Sequence, residues 1–250
     1  MAISVATVTA IFIIWFAVTN IGIVNPLFLP TPQAVGKAFV DLAVEGYKGQ
    51  SLLVHVGTSM WRLLVALFFA VVAGIPLGIL CGCSKTVHAI VTPILEFYRP
   101  LPPLAYYALI VLWLGIGDPS KILLLFLSAF APLLIGVTFA VQNTSTIRVN
   151  SARALGAHGW HLYTGIVLRE CLPQILTSFR TALGVAYSTL VAAEMIAATS
   201  GLGWLVLDAS KYLRNDIVYA GIILMGAIAI LLNAIVQCAI NASQPWKRRG

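Results

Sequence analysis

The sequence predicts an all-α integral membrane protein, and three observations support this. Of its 250 residues, 60% are hydrophobic and only 9% are charged, whereas about a quarter of the residues in a soluble domain are charged. The apolar residues form runs of about 20, which cross a bilayer as helices, and not the short alternating strands of an outer-membrane barrel. We therefore predict six transmembrane helices, at residues 3–22, 58–83, 89–113, 121–142, 173–197 and 218–241.

The first predicted span, at 3–22, is expected to stay in the chain. The opening residues Met-Ala-Ile-Ser supply no basic segment, and no small-residue cleavage site follows, whereas a secretory leader has both. Outside the six spans no stretch is long enough for a soluble domain. We therefore expect one membrane domain that covers residues 1–250.

An amphipathic helix is predicted at about 31–46, after the first span. Thr31 is a suitable N-cap, and Pro32 follows at the first helical position, where its missing N–H costs nothing. Apolar residues then recur on one side of the helix and charged residues on the other. We expect this helix to lie in the outer membrane interface, with binding of a partner as the alternative.

The second span carries Gly74, Gly78 and Gly82, which are spaced four residues apart. Small residues at this spacing share one helix face and let a neighbouring helix approach closely. We therefore predict a tight helix contact along this face.

The third span is interrupted by proline and by charge. Its first half, "PILEFYRPLPPLAYY", contains four prolines together with Glu96 and Arg99, so regular helical hydrogen bonding must fail there. Non-helical backbone at membrane depth occurs only where protein buries it or water lines it, and charges at that depth mark transport pathways. We predict that Glu96, Tyr98 and Arg99 line a pathway; the alternative is that Glu96 and Arg99 pair with each other.

The fifth span adds three polar candidates in its outer half: Ser188, Thr189 and Glu194. The Glu194 carboxylate either faces the interior of the helix bundle or extends to the outer surface. We include all three residues among the candidates for the translocation pathway.

The distribution of charge predicts that both termini are cytoplasmic. With that orientation the inner loops hold seven Lys and Arg residues against one Glu, whereas the outer loops hold five basic and five acidic residues. An excess of Lys and Arg on the cytoplasmic side is the usual bias. The net charge of +7 is thereby explained by topology, and we predict no binding of nucleic acid.

The sequence lacks the motifs of a membrane enzyme. It contains no zinc-protease, nucleophile-elbow or phosphate-loop pattern. Cys81 and Cys83 are too closely spaced for a usual metal-ligand pair, and no histidine cluster accompanies them. We predict neither a catalytic residue nor a metal site.

The inner loop at about 147–170 predicts a docking element for a soluble partner. It divides at Gly156, and apolar residues recur every three positions on both sides. A glycine ends a helix at little cost because it adopts the left-handed conformation freely. Two short amphipathic helices joined by a glycine turn would present an apolar surface to a groove on the partner.

The stretch "SARALGAHGWHLYTGIVL" in this loop resembles the cytoplasmic coupling loop of permease subunits of binding-protein-dependent ATP-binding-cassette importers. Ala152, Gly156, Ile166 and Leu168 fit the family pattern, whereas Asn150, Ser151 and Arg169 replace its Glu, first Ala and Pro. The resemblance implies that the residues contacting the ATPase are Ala152, Gly156, Ala157, Trp160, Ile166 and Leu168.

The resemblance implies a type I importer permease in the bacterial inner membrane. It implies a homodimer of this chain in membrane lipid, two cytoplasmic ATP-binding-cassette subunits and an outer substrate-binding protein. ATP and Mg²⁺ would be bound by the ATPase, so no cofactor is expected in this chain.

Residues 96–124 and 188–213 look most like the subgroup of permeases for taurine, alkanesulfonates, nitrate and related anions. The resemblance implies taurine or a related small sulfonate as substrate, with nitrate, bicarbonate or another small anion as the alternative. A secondary transporter that works without ATP is an alternative of a different class. It would recruit Glu96 and Glu194 for ion coupling, although the sequence shows no matching halves.

Overall fold

The computed structural model of the protein describes residues 2–22, 24–156, 158 and 168–243. Within these residues the chain is all-α, as predicted, and contains no strand. The helices are α1 (Ala2–Asn20), α2 (Pro32–Val44), α3 (Leu52–Cys83), α4 (Lys85–Tyr98), α5 (Pro103–Leu114), α6 (Asp118–Gln142), α7 (Thr146–Ala154), α8 (Leu168–Ala197), α9 (Leu202–Lys211) and α10 (Asn215–Ala242).

Four of these helices, α3, α6, α8 and α10, are long and apolar enough to cross a membrane. The apolar helices Ala6–Asn20 and Pro103–Leu114 are shorter. The predicted third span, 89–113, is not one helix: α4 ends at Tyr98 and α5 begins at Pro103. The total of six spans stays a prediction.

Helix α2 begins where its cap residue predicts. The Thr31 side chain accepts a hydrogen bond from the backbone N–H of Ala34 at 3.2 Å, and Pro32 is the first helical residue. Val35, Ala38 and Leu42 form the buried side of the helix. Its location at the outer interface stays a prediction.

The described residues form two compact units. The first consists of the described residues within Met1–Met60 and Glu194–Ile228. The second consists of the described residues within Trp61–Ala193 and Ala229–Gly250. The single membrane domain stays a prediction.

In the second unit, α3 and α6 pack closely through the predicted glycines. A Cβ atom added to Gly78 would lie 2.7 Å from Cβ of Val137, and one added to Gly82 would lie 2.5 Å from Cβ of Val141. The hydroxyl of Thr138 donates a hydrogen bond to the carbonyl of Gly78 at 3.2 Å. The tight contact predicted from the glycine spacing is confirmed.

In the first unit, the Glu194 side chain is fully buried where α8 ends and α9 begins. The backbone N–H of Gly203 donates to Glu194 Oε2 at 2.9 Å, and the hydroxyl of Ser59 lies 2.8 and 2.9 Å from the two carboxylate oxygens. The same hydroxyl accepts from the N–H of Leu202 at 2.9 Å. A carboxylate at a helix N-terminus satisfies N–H groups that have no partner within the helix. Glu194 therefore anchors the start of α9.

Gly201 makes this arrangement possible. Its backbone has φ +123°, and a Cβ atom added there would lie 2.4 Å from the carboxyl carbon of Glu194. Its N–H donates to Nδ1 of His55 at 3.3 Å. The turn before α9 thus passes directly over the carboxylate, an approach that only glycine permits.

Replacing Gly78 by alanine is expected to lower the thermal unfolding temperature of the purified protein by several degrees. The added methyl group overlaps Val137, and overpacking of this kind costs about 1–3 kcal/mol. Gly57→Ala is the matched control because it makes the same change in α3 at a position with open space around it. Equal unfolding temperatures for the two variants would contradict the tight contact.

Glu194→Ala is expected to destabilise the protein strongly, because burial of the unpaired Gly203 N–H and Ser59 hydroxyl costs about 1–3 kcal/mol per group. Glu194→Gln keeps an acceptor oxygen and should cost less. Thermal unfolding in detergent measures both effects. Thr177→Ala serves as control, since that hydroxyl is exposed and its one bond to the described residues is to the Pro173 carbonyl in its own helix. Wild-type stability of Glu194→Ala would show that Glu194 is not an anchor.

Candidate translocation pathway and coupling segment

The backbone leaves the helical path between α4 and α5. Arg99 caps α4, with its N–H donating to the carbonyl of Leu95 at 2.9 Å, and Leu101 N–H donates to the Tyr98 carbonyl at 3.0 Å. Pro100 follows Arg99, and Pro102 precedes α5. The interruption predicted from the prolines is confirmed.

One polar face of α4 lines a cavity of about 210 Å³ against α6. His88, Thr92, Glu96 and Arg99 are spaced by four, four and three residues, so they follow one side of the helix. Glu96, Arg99 and Pro100 also line a wider recess of about 440 Å³. In the part of the chain that the structure describes, Glu96 and Arg99 do not form an ion pair with each other. Both charged side chains are exposed.

Arg99 also lines a second cavity, of about 270 Å³, on the side of α5 and α8. Tyr98, Tyr106, Ser128 and Thr181 contribute the other polar side chains of its lining. The structure therefore brings three sequence-predicted residues, Glu96, Tyr98 and Arg99, to the cavities around the helix break.

The three candidates on α8 occupy different environments. Ser188 is exposed and lines a third cavity of about 210 Å³, together with Gly184 and Tyr187 of α8 and Asn233 of α10. Thr189 is buried and donates to the carbonyl of Val185 at 2.9 Å. Glu194 is enclosed in the anchor of α9. Their roles in a pathway stay predictions.

Arg180 is a charged residue of α8 to which the sequence reasoning assigned no role. Its Nε donates to Oδ1 of Asn233 at 3.0 Å, and its Nη1 donates to Oε1 of Gln237 at 2.5 Å. Arg180 is exposed, whereas Asn233 and Gln237 are half-buried. A signal was available in the sequence, since Asn233 and Gln237 are polar residues one helical turn apart in an otherwise apolar span.

The coupling segment begins with α7 and a glycine turn. Ala152 on α7 is buried, whereas Leu155, just after the helix, is exposed. Gly156 has φ +90° and its N–H donates to the Arg153 carbonyl at 3.0 Å, which confirms the predicted glycine turn. Leu168 begins α8 and is exposed.

Ala157, Trp160 and Ile166 lie outside the described residues. The docking role of all six coupling residues stays a prediction.

Glu170 connects α7 to α8. Its Oε1 atom lies 3.3 Å from Nη1 of Arg148 and accepts a hydrogen bond from the Ser145 N–H at 3.2 Å. The hydroxyl of Thr144 also lies 3.2 Å from Sγ of Cys171. These contacts connect α7 and the two residues before it to the start of α8.

A polar cluster outside the long helices joins the turn after α2 to α9. The hydroxyl of Tyr47 donates to Oδ2 of Asp208 at 2.9 Å, and Nζ of Lys48 lies 2.6 Å from the same oxygen. Burial and the hydrogen bond to Asp208 raise the pKa of Tyr47 to about 12. Burial opposes ionisation of Asp208, but hydrogen bonds from Lys48 and Tyr47 hold its pKa below the ordinary value. Asp208 therefore stays ionised and Tyr47 neutral at physiological pH.

The chain matches a family of membrane transport components. The sequence profile for the "binding-protein-dependent transport system inner membrane component" matches residues 74–249. The taurine transport system permease protein TauC of Escherichia coli is 42% identical over 98% of this chain and 90% of its own length. The putative aliphatic sulfonates transport permease protein SsuC of Bacillus subtilis is 31% identical over 95% of this chain and 84% of its own length.

Two further comparisons extend this similarity. The nitrate import permease protein NrtB of Leptolyngbya laminosa is 32% identical over 78% of this chain and 72% of its own length. Among solved structures, an inward-facing form of the MetNI methionine ABC transporter superposes with a TM-score of 0.67. The superposition covers 77% of this chain and 95% of the MetNI chain, at 19% sequence identity. At this identity the similarity supports the fold alone.

The family profile covers most of the chain, and close relatives align over nearly its full length. The protein belongs to the family of binding-protein-dependent transport system inner membrane components, the permease subunits of type I ATP-binding-cassette importers, and is a transport component and not an enzyme.

Proposed function

We propose that this permease moves taurine, or a related small sulfonate, across the bacterial inner membrane. The observation that carries the proposal is the exposed pair of opposite charges, Glu96 and Arg99, in one recess at the helix break. Taurine has an ammonium group at one end and a sulfonate at the other, so it matches such a pair. The 42% identity to a taurine permease supports the same substrate.

The contacts that we propose between the substrate and Glu96 and Arg99 are weak. Glu96 and Arg99 are exposed on one helix face, where water competes for both charges. A transport pathway needs attraction strong enough for entry and weak enough for release. Nitrate and bicarbonate have no ammonium group, so Glu96 would not attract them, and taurine is the better match to the pair.

The assembly that we propose is a homodimer of this chain with two cytoplasmic ATPase subunits and an outer substrate-binding protein. Membership of the family supports the ATPase and the binding protein as partners. ATP and Mg²⁺ would be bound by the ATPase, and this chain would need no cofactor of its own. The excess of basic residues in the predicted inner loops supports cytoplasmic termini.

In this proposal the coupling segment passes the motion of the ATPase to α8. Leu155 and Gly156 present an exposed apolar turn, which suits a groove on a partner. The ion pair between Arg148 and Glu170 ties α7 to α8. Displacement of the turn would therefore move α8, the helix that carries Thr181 and Ser188 into two of the cavities. The family favours this ATP-driven mechanism over a secondary transporter.

Arg99→Gln is expected to lower ATP-dependent taurine uptake up to about fivefold, because an exposed charge pair is worth up to about 1 kcal/mol. The measurement is uptake of labelled taurine by proteoliposomes that contain the permease, its ATPase and its binding protein. Lys85→Gln, which removes an exposed charge at the other end of α4, is the control. Normal uptake by Arg99→Gln would remove this residue from the pathway.

Glu96→Gln is expected to reduce uptake of taurine several-fold more than uptake of ethanesulfonate. Only taurine carries the ammonium group that Glu96 would attract, and the sulfonate end is common to both. The same proteoliposomes, tested with both labelled compounds and with nitrate and bicarbonate as competitors, measure the difference. An equal effect on uptake of both sulfonates would contradict recognition of the zwitterion. Uptake of nitrate or bicarbonate without uptake of taurine would show that taurine is not the substrate.

Gly156→Val is expected to lower ATP-dependent uptake by at least about tenfold while the permease remains in the membrane. A β-branched residue at φ +90° is strained by about 1–3 kcal/mol, which would distort the coupling turn. Gly156→Asn is the matched variant, since asparagine tolerates positive φ better, and it should retain most uptake. Equal uptake by wild type and Gly156→Val would show that the turn is not the coupling element.

A further inference from the structure

Arg180 lies near the middle of α8. Twelve residues separate it from Leu168, the first residue of this 30-residue helix, which is about 18 Å along a helix about 45 Å long. In the predicted span 173–197, Arg180 is about 10 Å from the first residue, and a cation inside a span is costly unless it faces a bundle interior or a water-filled cavity. The exposed side of Arg180 therefore requires a polar environment.

Two neutral amides hold Arg180 in place. Asn233 and Gln237, on α10, accept its hydrogen bonds through their side-chain oxygens. Their own NH₂ groups are also engaged, with the carbonyl of Ala229 at 3.0 Å and with Oδ1 of Asn241 at 3.0 Å. These bonds orient both amide oxygens toward the guanidinium. The side chain is thus preorganised without being neutralised.

The charge of Arg180 remains available for an anion. Its partners among the described residues are neutral, and no ion pair to a carboxylate forms there. An anion would not have to displace a competing carboxylate. A guanidinium has five N–H donors, of which two are used here, and the remaining donors suit the oxygens of a sulfonate.

Arg180 belongs to a polar stripe on the exposed face of α8. The stripe consists of Thr177, Arg180, Thr181, Gly184 and Ser188, all exposed and spaced by three or four residues or adjacent. Thr181 lines the cavity that contains Arg99, and Gly184 and Ser188 line the cavity that contains Asn233. The stripe therefore extends from the cavity at the helix break to the cavity that Asn233 lines.

We propose that Arg180, held by Asn233 and Gln237, is an anion-binding residue on the translocation pathway that attracts the sulfonate of the substrate. The proposal rests on the proposed transport of a sulfonate and adds a second cationic position to Arg99. The stripe on α8 lines the route between them.

The test uses thiol reagents of opposite charge at Gly184→Cys. An added side chain has open space at Gly184, and the position is about 6 Å along α8 from Arg180. Cys83 and Cys238, the exposed cysteines, are replaced by serine. The reagents are methanethiosulfonates that carry an ethylsulfonate or an ethyltrimethylammonium group, applied to proteoliposomes that contain the complete transporter.

We expect the sulfonate reagent to be favoured, and Arg180→Gln to lower the ratio of the two modification rates about fivefold, since a nearby charge enriches anions and depletes cations. Arg180→Lys keeps the charge and should keep most of the ratio. A purely structural role for Arg180 would leave the ratio unchanged. An unchanged ratio in Arg180→Gln, or no reaction with either reagent, would overturn the proposal.

Taurine uptake by the same Arg180 variants separates this inference from the proposed substrate. Arg180→Gln should lower uptake several-fold and Arg180→Lys should restore part of it. If the parent protein transports another anion and not taurine, the substrate is wrong, while the reagent ratio still decides whether Arg180 attracts anions. Normal uptake by Arg180→Gln would contradict the proposal.

Discussion

A chain in hydrocarbon must pair its own backbone N–H and C=O groups, because no water is present to do so. This constraint produces the long helices α3, α6, α8 and α10. It also decides where helices end. At the break between α4 and α5, proline residues have no N–H to leave unpaired. At the start of α9, buried N–H groups are paired with Glu194 and Ser59.

The same constraint separates two kinds of charged residue in the helices. Glu194 is enclosed, and its oxygens accept hydrogen bonds from the groups around it, so it belongs to the architecture. Arg99 is exposed in the lining of a cavity. Arg180 is exposed next to Asn233, which lines another cavity, and the two amides that bind it are neutral. Both charges are therefore available to a ligand. Exposure, more than the presence of charge, distinguishes the residues suited to transport from those that support the fold.

Short patterns in the sequence predicted the structural features that depend on residues close together in the chain. Glycine spacing predicted the close face of α3, the prolines predicted the break after Tyr98, and Gly156 predicted the turn after α7. The beginning of α4 was missed although Ser84, its N-cap, was visible in the sequence. Contacts between side chains that are far apart in the sequence could not be predicted. Helical periodicity shows which face Arg180 shares, but not that Asn233 and Gln237, more than 50 residues later, will meet it.

The divided third segment has a consequence for biosynthesis. Helix α4 has 14 residues and α5 has 12, or about 21 and 18 Å, whereas the hydrocarbon layer is about 30 Å thick. Neither helix can cross alone as it leaves the ribosome. We therefore expect the pair to enter the bilayer as one unit and to remain beside the insertion machinery until α6, which packs against α5, has been synthesised. The order of the helices in the chain thus sets the order in which this part of the permease can be released into lipid.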